Sequence, residues 1–398
     1  MGVTRRQFLF ASSIALSAPR LIASSQYSLQ GTVLGLTTLN GMRKEQSELF
    51  SLNLASGVAD FQPLPNYRFG HSLESLWGGR WLAIPYGDDQ APCLLLSRDG
   101  EVLEQLSPPP GYAFGGHAVV VAAGTSVFLH YNPIQKLSTG GGYGEIIDLR
   151  TGQREARTET TIIHAHDMLL SANGQIVVAD DGVLDTDADD PYLFKPIRPA
   201  LHYFNQDLSL AKIVDLDING SLVHIAEDKQ ANITGAAEQY IRRNKAGHEE
   251  LSRLLGDSAE DYFARFDPEI YGQDVPMPGP VITIDAAGQS TRAPTHDGIQ
   301  LEPFDTLFNP ATGVTCCVFT ESNTIVWRKS HQPWQHQKLE DYGIKTPFGL
   351  TNLGDTGLIA VNDFDQGVAI LDARSMSLVR FYDLPTQGLK HLSYARGA

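Results

Sequence analysis

Two histidines and an aspartate stand directly ahead of an apolar run in "IIHAHDMLLSANGQIVVADDG", residues 162–182. Neutral imidazoles are ligands for Cu, Zn or Fe, and an adjacent carboxylate can ligate directly or orient an imidazole from behind. His164, His166 and Asp167 are therefore candidate metal residues, with the polar edge of an ordinary hairpin as the alternative. Locally the stretch reads as a short strand (Met168 to Leu170), a turn (Ser171 to Gly174) and a β-branched strand (Gln175 to Asp180).

The arrangement recurs. "GHSLESLWGGRWLAIP" at His71 and "GHAVVVAAGTSVFLHY" at His117 share the plan of "AHDMLLSANGQIVVAD" at His166: an apolar run, a Gly- or Asn-containing turn and a second apolar run. The same template fits "VHIAEDKQANITGAA" at His224, "PFDTLFNPATGVTCCVFT" at Phe304, "PFGLTNLGDTGLIAVND" at Phe348 and "KHLSYARGA" at His391. Most anchors follow one another by 43 to 49 residues, with two longer intervals of 58 and 80. Further hairpins fill the gaps, as in "CLLLSRDGEVLEQL" and "VAILDARSMSLVRFYDL". Four short strands at that period predict a β-propeller, and seven anchors predict seven blades. The strand after His391 lacks hairpin partners, and the N-terminal strands lack an inner strand. Both ends then share one blade, which closes the circle and removes free edges.

Blade inner strands begin near a central channel, so five anchor imidazoles (His71, His117, His166, His224 and His391) would face one axis. Converging there they could bind Cu, Zn or Fe, with His164 as a further ligand and Asp167 as ligand or orienter. The competing reading has each histidine bonding a neighbouring blade's backbone and locking the ring. The long intervals hold an acidic loop, Leu184 to Pro199, and the segment Ala236 to Phe266. The latter's apolar spacing (Leu251, Leu254, Leu255, Tyr262, Phe263) predicts a helical excursion able to cap one face or dock a partner.

Other motifs fail on their chemistry. "DTDADD" from Asp185 has Asp190 and Pro196 where a calcium loop needs Gly and Glu. "TGGGYGE" breaks the dinucleotide spacing and precedes a hairpin. G-x-S-x-G, H-E-x-x-H and C-x-x-C do not occur. "THDG", with His296 and Asp297, is a further candidate for the same face. Cys316 and Cys317 are adjacent in "GVTCCVFT", where strand alternation points them to opposite faces as small hydrophobes, with a vicinal disulfide as the alternative.

The chain has 398 residues and a formal charge of −16, which argues against nucleic acid and anionic membrane surfaces as partners. "TRRQFLFASSIALSAPRLIASS" resembles a twin-arginine export signal whose apolar run, broken by Ser12, Ser13, Ser17 and Pro19, is too short to span a bilayer. Residues 1–25 are thus expected to be a cleaved signal peptide, leaving 26–398 as a periplasmic propeller without a membrane span.

"GGHAVVVAAGTSVF", "HAHDMLLSANGQIVVADDGV", "IRPALHYFN" and "VHIAEDKQANITGA" resemble the DUF1513 family of twin-arginine-exported bacterial propeller proteins. Ala165 stands where that family commonly has Pro, and the segment Ala236 to Phe266 departs from it. The resemblance implies an iron-related role and brings no catalytic residues. The expectation is a periplasmic binding or accessory propeller whose histidine-lined channel face holds a metal or small ligand. Alternatives are a lactonase-like metal hydrolase, which wants channel carboxylates and Asn and could draw on Asp167, Asp305 and Asn352, or a quinoprotein-type oxidoreductase, which wants a basic cradle and a stacking Trp and could draw on Arg68 and Trp77. A pure interaction scaffold docking a periplasmic partner through residues 236–266 is the remaining choice.

Overall fold

The computed structural model describes residues 27–38, 46–87, 90–134, 141–160, 162, 164–181, 183–185, 194–196, 199–218, 221–242, 274–277, 279–293, 303–385 and 388–396. Residues 1–26, most of the acidic stretch after Asp185, the loop with His296 and Asp297, and residues 243–266 lie outside them.

Seven antiparallel sheets, six of four strands and one of five, make a seven-bladed β-propeller. Their inner strands, in chain order, are Gly70–Ser75, Tyr112–Val121, Ala165–Leu170, Ser221–Glu227, Pro303–Asn309, Pro347–Asn352 and Leu392–Ala395; blades are numbered in that order. Blade 7 is composite. Leu392–Ala395 pairs with Thr32–Thr38, so that Thr32 faces Ala395 and Gly35 faces Leu392, and Gln46–Asn53 and Ala59–Arg68 complete the sheet. The two chain ends therefore share a sheet, as the unpartnered terminal strands require.

Burial follows from stacking sheets face to face around a circle. Middle strands such as Trp81–Pro85 and Tyr143–Asp148 are buried along their whole length, because both faces are covered. The outer strand Val102–Leu106 is almost wholly exposed. The apolar core is accordingly divided into seven clusters among the described residues, each lying chiefly between two successive blades. Cys316 faces the cluster between blades 5 and 6, and Cys317 the one between blades 4 and 5, both as buried thiols.

A circle of side-chain-to-backbone hydrogen bonds runs inside these clusters. Ser72 Oγ donates to the Gly116 carbonyl (2.6 Å), and the Asn132 amide exchanges two bonds with Ala165 (3.0 and 3.1 Å). Asp167 accepts from Ile225 N (2.9 Å), and His224 Nδ1 bonds the Phe304 carbonyl. Asp305 accepts from Leu350 N (2.7 Å), Asn362 donates to the Leu389 carbonyl (2.7 Å), and Ser393 donates to the Leu73 carbonyl. Each blade is thus tied to the next, and the seventh to the first.

The expected helical excursion needs correction. Ile233–Arg242 is a strand, pairing with the inner strand of blade 4 on one side and with Val281–Ile284 and Asp274–Met277 on the other. Residues 236–242 are therefore sheet, and no α-helix occurs among the described residues. Ladder pairing on two sides outweighs the modest helical preference of "AAEQYIR". The acidic insertion in blade 3 is flanked by a small hairpin, Val183–Asp185 against Phe194–Pro196.

Candidate metal centre

An antiparallel strand with regular pleating directs its residues alternately up and down, not at an axis beyond its own end. Here six of the seven inner strands depart from regularity near their starts. Pairing slips between Gly70 and Ser72, Phe114 and Ala118, Ala165 and Met168, Leu222 and His224, Pro303 and Thr306, and Pro347 and Leu350. Such bulges re-aim a side chain, and each lies at or beside an anchor.

The result is a closed ring of seven anchor side chains. Successive ring centroids are 4.9 Å (His71–His117), 5.8 Å (His117–His166), 4.9 Å (His166–His224) and 5.1 Å (His224–Phe304) apart. The circuit continues at 3.7 Å (Phe304–Phe348), 6.3 Å (Phe348–His391) and 4.5 Å (His391–His71). Across it, His117 also meets His224 (5.3 Å) and His391 (4.7 Å), and so touches all four other imidazoles. Gly116 makes this approach possible. Its φ is +92°, and a Cβ there would stand 2.8 Å from His71 Cδ2.

Ligand atoms of His71, His117, His166 and His224 lie within 4.8 Å of one another. An imidazole–metal bond of about 2.0–2.1 Å puts trans donors about 4 Å apart, so an ion would draw the rings in by tenths of an ångström. Polar satisfaction points the same way. Nε2 of His71, His117, His166, His224 and His391 is buried without a hydrogen-bond partner in all five cases. Buried polar nitrogens are rarely left so, and five converging ones suit a shared cation. Of the five, only His224 bonds a neighbouring blade's backbone, through Nδ1 to Phe304. That bond fixes the tautomer that leaves Nε2 as the lone-pair donor.

Four of the rings, His71, His117, His166 and His224, are also in the correct charge state. Burial holds His71, His117 and His224 well below the ordinary histidine range, with neighbouring imidazoles adding to the effect. Burial, then His164, brings His166 down to about 3. A ligating imidazole must be neutral, and these pay no proton in solution near neutrality.

The remaining expected residues stand differently. His164 is directed away from the ring, its Nδ1 2.6 Å from Asp181 Oδ2. Asp167 does not join the four closest ligands. It holds Met168 N (2.7 Å) and Ile225 N (2.9 Å), with Oδ1 3.6 Å from His117 Nδ1, and burial raises its carboxyl to about 8. Asp305 repeats this placement beside His391. Asn352 ties blades 5 and 6 through Asn309 and the Phe308 carbonyl. Trp77 packs under Arg80 at the turn closing the first hairpin of blade 1, and Arg68 ends the outermost strand of blade 7, so neither builds a cofactor cradle on the axis. Sequence reasoning missed Tyr86, whose ring lies 5.0 Å from His71 and 4.9 Å from His166. It follows the second strand of blade 1 without any repeating signal.

Comparison with known proteins agrees with this architecture. Residues 90–262 match a family described as a protein of unknown function, DUF1513. No curated protein matches the chain. A protein from Lactobacillus plantarum is similar in structure, with TM-score 0.58 and 10% identity over 92% of this chain and 100% of that one. So is a putative 6-phosphogluconolactonase from Bacteroides fragilis, at 0.57 and 12% over 94% and 100%. A catalytically inactive virginiamycin B lyase from Staphylococcus aureus, solved with quinupristin, gives 0.53 and 11% over 87% and 95%. At these identities the likeness is one of fold.

Proposed function

We propose that this chain, a DUF1513 protein by its residues 90–262, is an exported propeller that holds a transition-metal ion on its channel axis. The observation that carries the reading is the set of five buried Nε2 atoms without partners, on rings that all meet His117. An all-imidazole donor set suits Fe, Cu or Zn, and not Ca or Mg, which take oxygen. His71, His117, His166, His224 and His391 would hold the ion, which would supply Lewis acidity and, if redox-active, electron transfer. Phe304 and Phe348 complete the wall on the side of blades 5 and 6. No helix among the described residues is long and apolar enough to cross a membrane. The paired Arg5 and Arg6 ahead of Phe8 and Leu9 support twin-arginine export to the periplasm.

Metal analysis of protein purified from its native compartment tests this, with His117→Ala and His166→Ala alongside. One ion per chain in the wild type and at least a tenfold loss of affinity in each variant are expected. A wild type without stoichiometric metal, or variants that retain it fully, would refute the proposal. A hydrolase of the lactonase kind would want oxygen donors around the ion, and the converging atoms here are nitrogens.

A further inference from the structure

Asp167 and Asp305 occupy the same place in their blades, each directly after its anchor (His166 and Phe304). Each carboxylate accepts two backbone N–H groups. Asp167 takes Met168 N (2.7 Å) and Ile225 N (2.9 Å); Asp305 takes Thr306 N (2.8 Å) and Leu350 N (2.7 Å). Each also has an oxygen 3.6 Å from the Nδ1 of a cluster histidine, Asp167 from His117 and Asp305 from His391. Those two rings present unpartnered, buried Nε2 atoms on their other side. The order carboxylate, Nδ1, Nε2 therefore runs from the channel wall to the cluster twice.

We infer that Asp167 and Asp305 are paired positioning carboxylates that fit the five-imidazole site to a divalent cation. The inference rests on the metal reading above and adds the charge class of the ion and the role of Asp305. An imidazole ligating through Nε2 carries its proton on Nδ1, and the ion makes that proton a stronger donor. A short closure then completes a charge-assisted bond to the carboxylate. Five imidazoles bring no charge, so a buried ion must be balanced from beyond them. Burial keeps a proton on Asp167 in the metal-free fold; a divalent ion in the cluster displaces it, and two carboxylates then balance two positive charges. Glu74, which burial raises to about 7, also acts on Asp167, and Lys390 acts on His71 and His166.

The test uses the mature full-length chain stripped with a chelator. Zn²⁺ is titrated against a chromophoric competitor and Cu⁺ is titrated anaerobically in the same way. The wild type, Asp167→Asn, Asp305→Asn and the double variant are compared. Each single change should weaken Zn²⁺ binding by about 10- to 100-fold and Cu⁺ binding by clearly less, because the Coulomb loss scales with ionic charge. Equal losses for both ions would mean mere loosening of the site, and unchanged Zn²⁺ affinity would mean no role; either overturns the inference. If the wild type binds neither ion, the metal reading itself fails, which is a different outcome. Should a variant not fold, the wild type still decides. Zn²⁺-loaded protein should show slowly exchanging, downfield Nδ1–H resonances from His117 and His391, and their absence overturns the pairing.

Discussion

The metal-free propeller should be most stable near pH 6.5 and weaken steeply on acidification. Burial depresses His71, His117, His130, His166 and His224 in the fold, with His130 and His166 brought to about 3 against an ordinary value of 6.5. In the unfolded chain all five protonate near 6.5, so below that pH unfolding takes up as many as five protons. Two carboxyls oppose this. Asp167 is raised to about 8 and Glu74 to about 7, both by burial, so unfolding above about pH 4.5 releases at most two protons. Glu74 keeps partial solvent contact and contributes less than a full proton. Between about pH 4.5 and 6.5 the balance is about three protons taken up, an upper bound of about 4 kcal/mol lost per unit fall in pH. Above 6.5 the histidine contribution is complete and the carboxyls make stability decline slowly toward pH 8. A domain with a typical stability of about 10 kcal/mol would then unfold within two to three units below the maximum. Urea denaturation midpoints of chelator-treated protein, taken from pH 5 to 8, measure this directly. A midpoint at pH 5 equal to or above that at pH 6.5 would refute the reasoning, because it would mean the five imidazoles are solvated in the fold.

Other consequences are local. Gly116→Ala sets a Cβ 2.8 Å from His71 Cδ2 and 2.9 Å from Tyr86 Cδ2 at a φ of +92°. It should cost about 2–3 kcal/mol and weaken metal binding together; chemical denaturation and metal titration read both. Asn132→Ala removes both amide bonds to Ala165 and leaves a buried N–H and C=O unpaired between blades 2 and 3. A loss of about 2–4 kcal/mol in denaturant is expected, and a change under about 0.5 kcal/mol would contradict the inter-blade tie. Truncation after Leu389 strips the ladder from Thr32–Gly35 and exposes a sheet edge. Loss of a cooperative melt, followed by circular dichroism, is expected; an unaltered melt would show that ring closure is dispensable.

Much of the fold was legible in the chain because a propeller repeats one supersecondary unit. The anchors His71, His117, His166 and His224 each precede an apolar run, a turn and another apolar run, and strand pairing is largely local to each blade. The closing blade was legible too, since a strand after His391 without hairpin partners and N-terminal strands without an inner strand have one economical solution. The stretch Ala236 to Arg242 misled, because helical spacing further along was extended back over residues that ladders to neighbouring strands hold as sheet.

The five imidazoles were readable as a column, since repetition in sequence becomes repetition around an axis. Their mutual distances were not, because these depend on a bulge at or beside the anchor in six of the seven inner strands and on Gly116 admitting His71. Nor did the sequence separate His166 from His164, two residues away. Only the fold turns one ring to the axis and the other onto Asp181. Asp305 and Tyr86 likewise acquire meaning only through neighbours distant in the chain. Residue types and their period determined which groups recur, while the packing of seven blades decided which nitrogens meet and which remain without partners.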